Sequence, residues 1–70
     1  MQTPTIKLTG RQYDTLTMIK FHGEVDVDGI DGRTLRALRN RKLVKGSSKV
    51  AVSQKALTAS LRVDGTTFAL

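Results

Sequence analysis

The sequence has no cysteine and no tryptophan, a single histidine, a single proline, and only Tyr13, Phe21 and Phe68 as carbocyclic aromatics. Without cysteine there are no disulfides and no thiolate metal ligands. His22 alone is too little for a zinc centre. Three scattered aromatic rings do not make a stacking platform for single-stranded nucleic acid, so the core has to be aliphatic. The longest apolar runs are two or three residues, far short of a membrane span. The opening MQTPTIKLTG lacks the basic-then-apolar layout of a signal peptide. A cytoplasmic protein with no membrane association is therefore expected. Pro4 lies near the N-terminus and no repeat or low-complexity tract is present, so no linker is visible. The 70 residues form one expected domain, 1–70, with flexible ends at 1–5 and 64–70. Such a chain buries only about 60% of its unfolded surface.

Acidic residues are also scarce. Lys and Arg number 12 against 6 Asp and Glu, a net charge of +6, which points to a polyanionic partner. Glu24, Asp26, Asp28 and Asp31 fall in one short stretch, whereas every charged residue from Gly32 to Val63 is Lys or Arg. A surface serving solubility alone usually mixes both signs.

Local patterns give the element order. Thr9-Gly10-Arg11-Gln12 reads as a capping box, with Leu8 placed to staple onto Tyr13. Leu16, Ile19 and Phe21 continue at helical spacing until Gly23, which predicts a helix over 10–22. Val25 and Val27 alternate with acids as a short strand does, and so short a strand needs a later partner. Asp31 is a good N-cap for a helix over 33–41. On it Leu35 and Leu38 share one face, and Arg33, Arg36, Ala37 and Asn40 share the other. Leu43 and Val44 lead into a hairpin over 43–53, with Val50 and Val52 on its return strand and a flexible basic tip at 45–49. Ser53 caps a helix over 54–61 that carries Ala56, Leu57 and Leu61. The tail around Asp64-Gly65 is either an extra strand or disordered. The expected core is Leu8, Tyr13, Leu16, Ile19, Val25, Val27, Ile30, Leu35, Leu38, Leu43, Val44, Val50, Val52, Leu57 and Leu61.

The run Thr34-Leu35-Arg36-Ala37-Leu38-Arg39-Asn40-Arg41-Lys42-Leu43-Val44 resembles the recognition helix and wing entry of winged helix-turn-helix domains. Ser53-Gln54-Lys55-Ala56 is similar to the helix start that follows the wing in that family. The resemblance covers residues 9–61 and carries no catalytic signature. It implies an α+β, winged-helix-like fold in the order helix, short strand, helix, β-hairpin, helix. Two departures stand out. Only the residues between Gly23 and Asp31 are available where the family has a full helix, and Lys42 stands where the family often has Gly.

The chemistry of the basic segment fits double-stranded DNA. Arg can donate two hydrogen bonds to guanine, and Asn can pair with adenine in the major groove. Ala37 permits close approach. Arg33, Arg36, Ala37 and Asn40 are therefore candidate base readers. Arg39 and Arg41 on the flanks, Arg11 on the first helix, and Lys45, Ser47, Ser48 and Lys49 on the hairpin tip are candidate contacts to the backbone or minor groove. The expected function is a small, nucleoid-associated transcription regulator or a recombination or architectural factor such as an excisionase, acting as a homodimer or in tandem copies. The same face could instead dock an acidic protein partner, and an ordinary solvated Arg face needs no function at all. Exposed helix faces, however, usually include Glu at i, i+4, and this one has none. No catalytic residues, cofactor or metal are expected, since the serines have no base near them in sequence and no dense ligand loop surrounds Glu24, Asp26 and Asp28.

Overall fold

A computed structural model describes residues 5–70. The fold is a small α+β arrangement of three α-helices and two three-stranded sheets. β1 (Thr5–Leu8) leads into α1 (Gly10–His22). β2 (Val25–Asp26) follows, then a single 3-10 turn, Val27–Gly29. After α2 (Gly32–Asn40) come β3 (Val44–Lys45), β4 (Lys49–Val52), α3 (Gln54–Thr58), β5 (Ser60–Val63) and β6 (Thr66–Phe68).

The helix boundaries follow their caps. Thr9 and Gln12 form the expected capping box: the Gln12 amide donates to Thr9 Oγ1 at 3.2 Å and the Thr9 amide to Gln12 Oε1 at 3.1 Å. Gly23, at φ 84°, ends α1. Asp31 accepts from the Thr34 amide and hydroxyl, both at 3.1 Å, and so starts α2 one residue before its expected first residue. The C-terminus of α2 is a Schellman motif. The Leu43 amide donates to the Leu38 carbonyl at 3.0 Å and the Lys42 amide to the Arg39 carbonyl at 2.9 Å. This closure puts Lys42 at φ 59°, the left-handed conformation that explains why glycine suits the position.

The short strand at Val25 finds its later partner in β4. The sheet order is β2-β4-β3, fully antiparallel, with Val25 opposite Val50, Asp26 opposite Lys49, and Val44 opposite Val52. Strand geometry stops at Asp26, and Val27–Gly29 coil into the 3-10 turn. The segment before α2 is thus a strand and then one helical turn.

The second sheet has the order β1-β5-β6. β1 runs parallel to β5 in the register Thr5 with Ser60 through Leu8 with Val63, and β6 pairs antiparallel to β5. Of the two alternatives for the tail, the strand is the one observed. Asp64 and Gly65, at φ 50° and 83°, make a two-residue turn with both φ values positive, the geometry that right-twisted hairpins favour. Of the N-terminal residues expected to be flexible, 1–4 lie outside the described residues, and Thr5 opens β1.

The core comprises Leu8, Leu16, Ile19, Ile30, Leu35, Leu38, Leu43, Val44, Val50, Ala56, Ala59, Leu61 and Val63. Tyr13, Val25, Val27 and Val52 pack on its rim half-buried. One apolar residue expected in the core is outside, Leu57 at 44% exposed, and Phe21, placed at helical spacing but not in the expected core, is 84% exposed. The reason for Leu57 is that α3 ends at Thr58 rather than at 61. The chain then turns into β5, and Leu61 and Val63 enter the core as alternate residues of a strand. Tyr13 meets Phe68 of β6, with ring centroids 5.0 Å apart, which fastens the C-terminal strand to α1. Among the described residues no helix is long and apolar enough to cross a membrane.

Candidate nucleic-acid interface

The burial of α2 divides along the expected line. Thr34, Leu35 and Leu38 are buried, Ala37 is half-buried, and Arg33, Arg36, Arg39 and Asn40 are exposed. The core face anchors the helix, and the opposite face offers guanidinium and carboxamide groups to solvent. An open groove of about 310 Å³ runs along it, lined by Gly32, Leu35, Arg36, Arg39 and Asn40. Arg36 and Asn40, one helical turn apart, share this groove.

The hairpin tip is hydrogen-bonded to its neighbours. The Arg39 guanidinium donates to the Gly46 carbonyl at 3.3 Å and the Ser47 carbonyl at 2.8 Å. The Val27 amide donates to the Ser48 carbonyl at 3.0 Å. All three tip carbonyls are thus engaged, and Gly46 turns the chain at φ 112°, where a Cβ would overlap the Lys49 carbonyl. Gly46-Ser47-Ser48, expected to be pliant, thus has its carbonyls bonded to Arg39 of α2 and to the turn before α2. Lys45, Ser47, Ser48 and Lys49 all remain exposed. Arg39 joins the two candidate surfaces: one guanidinium nitrogen is committed to the tip, and a guanidinium has five N–H donors in all.

Arg41 goes elsewhere. At the C-terminal end of α2 its guanidinium donates to the Lys7 carbonyl of β1, away from the groove. Lys55 Nζ donates to the Arg41 carbonyl at 2.9 Å, and Ser53 Oγ to the Lys42 carbonyl at 2.7 Å. Carbonyls left open at the end of α2 are satisfied in this way by the start of α3. Arg11 sits close enough to Asp31 to act on its carboxylate through space. The Thr34 amide first and then the Thr34 hydroxyl hold the Asp31 carboxyl below the usual carboxylate range against an opposing effect of desolvation, with a lesser contribution from Arg11.

Sequence reasoning missed Thr34, which is 5% exposed and braces the cap from inside. It also missed Lys7 and Arg62, which become neighbours only through the β1–β5 pairing. Among the described residues there is no group of three or more His, Cys, Asp or Glu placed to hold a metal ion. Beyond Asp26 the strand alternation that would have aligned Glu24, Asp26 and Asp28 is replaced by the 3-10 turn. The chain matches no family model, and no curated protein or solved structure is significantly similar to it.

Proposed function

We propose that the chain is a double-stranded DNA-binding domain of winged-helix type, in which α2 reads the major groove and the 45–49 tip lies along the backbone or in the adjacent minor groove. Its place would be that of a small, nucleoid-associated transcription regulator or recombination factor. The observation that carries the reading is the division of α2: Leu35 and Leu38 are locked in the core while Arg33, Arg36 and Asn40 are displayed beside a basic hairpin braced by Arg39. The β2-β4-β3 sheet behind that hairpin adds to it, since the strand before α2 then supports the wing. A single domain offers few base contacts, and two copies on adjacent half-sites would complete a typical site.

The test starts with an amide-resolved NMR titration against a random duplex at two salt concentrations. Shifts at Arg33–Arg41 and Gly46–Lys49 that weaken steeply with salt are expected from counterion release. After selection of a preferred site, Arg36→Ala with Asn40→Ala should cost about 1–3 kcal/mol of discrimination per lost bidentate contact. Unchanged specific binding in the double variant would remove α2 from the groove.

A second reading, docking on an acidic protein partner, is favoured by one observation. The segment before α2 is only one 3-10 turn, which leaves no full helix to cross the DNA backbone. The absence of any shift with duplex at low salt would select that reading.

A further inference from the structure

The β1–β5 pairing creates a basic cluster that lies outside the α2 groove. Lys7 and Arg62 are direct partners in the parallel register, and both are exposed. Ile6, Leu61, Leu8 and Val63, the residues between them in the alternation, pack into or onto the core. The sheet therefore turns its apolar side inward and puts the two cations side by side on its outer face, about 4.8 Å apart at the backbone. On its other side Arg62 faces Thr67 of β6, so neither sheet neighbour of Arg62 is acidic. Like charges directly opposite one another destabilise a sheet.

One more cation, Arg41, reaches this strand at the Lys7 carbonyl, and Lys55 in turn braces the backbone of Arg41 at its carbonyl. Both are held by uncharged backbone oxygens, which fix their positions without neutralising them. Beside Lys7 and Arg62 an open cleft of about 330 Å³ is lined also by Leu8, Asp64 and Gly65. Asp64, in the β5–β6 turn, is the one carboxylate at its rim.

We propose that Lys7 and Arg62, with Arg41 beside them, form a second phosphate-binding site that grips the DNA backbone beyond the segment read by α2. The proposal rests on the DNA reading above and extends its footprint. Arg41 supplies the continuity, because it leaves the last turn of α2 and ends on β1. From Arg33 to Arg41 the helix advances about 12 Å at 1.5 Å per residue. With the duplex running past that end, a cluster there would meet phosphates flanking the bases that α2 contacts. Its contribution is independent of base sequence, because phosphate contacts position the protein and carry no sequence information of their own.

The experiment compares the full chain with Lys7→Gln/Arg62→Gln on a 20-bp duplex across a salt series. Each phosphate contact contributes about 0.9 to the slope of log affinity against log salt. The double variant should therefore lose about 1.8 from the slope and bind about thirtyfold more weakly at 0.15 M salt. Lys7→Gln alone should lose about half the slope change, and Arg62→Lys should retain the wild-type slope. The preference between selected and random duplex should be unchanged in all three. Thermal midpoints at or above wild type, expected once the repulsion is removed, separate a lost contact from a lost fold.

If wild type binds duplex and the double variant binds it with the same slope, the cluster is not a site and the α2 reading stands alone. If Lys20→Gln, an equal charge loss on α1, lowers the slope as much as Lys7→Gln does, net charge explains the effect and the site is overturned. If wild type binds no duplex at all, the DNA reading fails and this site fails with it.

Discussion

Lys42→Gly should make the protein more stable. Lys42 occupies the left-handed region at φ 59° because the Schellman closure of α2 demands it. A non-glycine residue carries a cost of about 1–2 kcal/mol there. Glycine removes the Cβ clash but loses more chain entropy on folding, about 0.5–1 kcal/mol. The native contacts at Lys42 are made by its backbone: its amide donates to Arg39 and its carbonyl accepts from Ser53. Glycine keeps both, so the net gain is about 0.5–1 kcal/mol. For a domain of this size that is a rise in Tm of about 2–8 °C, measured by two-state thermal unfolding followed by circular dichroism. Lys42→Ala is the control. It removes the same charge and the same long side chain but keeps the Cβ, so its Tm should stay near wild type. If Gly and Ala variants melt together, the strain is not in the backbone and the reasoning fails. If Lys42→Gly stabilises and also weakens DNA binding, the lysine at a glycine position has a function that offsets its strain.

Four further outcomes follow from the geometry. Gly46→Ala places a methyl group against the Lys49 carbonyl at φ 112°. It should cost about 2–3 kcal/mol and raise hydrogen exchange at the hairpin tip before the rest of the chain, and unaltered exchange there would contradict the contact. Leu38→Ala empties a fully buried position and should lower stability by about 2–5 kcal/mol in denaturant titration. Phe68→Ala removes the ring that meets Tyr13, so a clear loss of stability is expected, whereas a neutral result would mean that β6 adds nothing to the fold. Asp31 has its folded pKa lowered, chiefly by the Thr34 amide. Its stabilising contribution is therefore present above the unfolded value near 3.9 and is lost as pH falls through the lower folded value. Asp31→Asn keeps a good cap and should flatten that part of the acid limb without melting α2 at neutral pH.

Local chemistry was legible in the sequence wherever one segment carries its own signal. The Thr9–Gln12 box, Gly23, the Asp31 and Ser53 caps, and the split of α2 into leucine and arginine faces each depend on residues within a turn or two of one another. What the sequence concealed is non-local. Nothing in Ile6-Lys7-Leu8 by itself declares a strand, because its partner, Leu61-Arg62-Val63, lies more than fifty residues away and runs parallel. The helix expected over 54–61 was overextended for the same reason. Leu57 and Leu61 have helical spacing, but sheet pairing claims Leu61, and Leu57 is left at the surface. At Val25 the alternation was real for two residues and then gave way to a 3-10 turn, a change that the glycine at 29 permits but does not locate.

The crowding of cations between Gly32 and Val63 sets an energetic problem that the fold partly solves without acids. Arg39 binds the carbonyls of Gly46 and Ser47, Arg41 that of Lys7, and Lys55 that of Arg41. Each is a charge-assisted hydrogen bond to a neutral acceptor, so the cations organise the hairpin, the end of α2 and the first strand while keeping their charge. An acid in any of these places would hold the geometry as well, but it would cancel the positive field. Carbonyl partners preserve the field, and a polyanion laid across the surface would gain from it. On the proposed reading, basic side chains that brace the scaffold and also face a polyanion make two demands on one residue, and Arg39 is where both can be measured. Arg39→Met keeps much of the apolar stem and removes the donors. It should loosen the tip in hydrogen exchange and lower duplex affinity together, whereas Arg39→Lys should retain the charge but not both carbonyl bonds. If Arg39→Lys restores affinity while the tip stays loose, charge alone matters at this position. If affinity recovers only when the tip is held, Arg39 acts by positioning the hairpin tip.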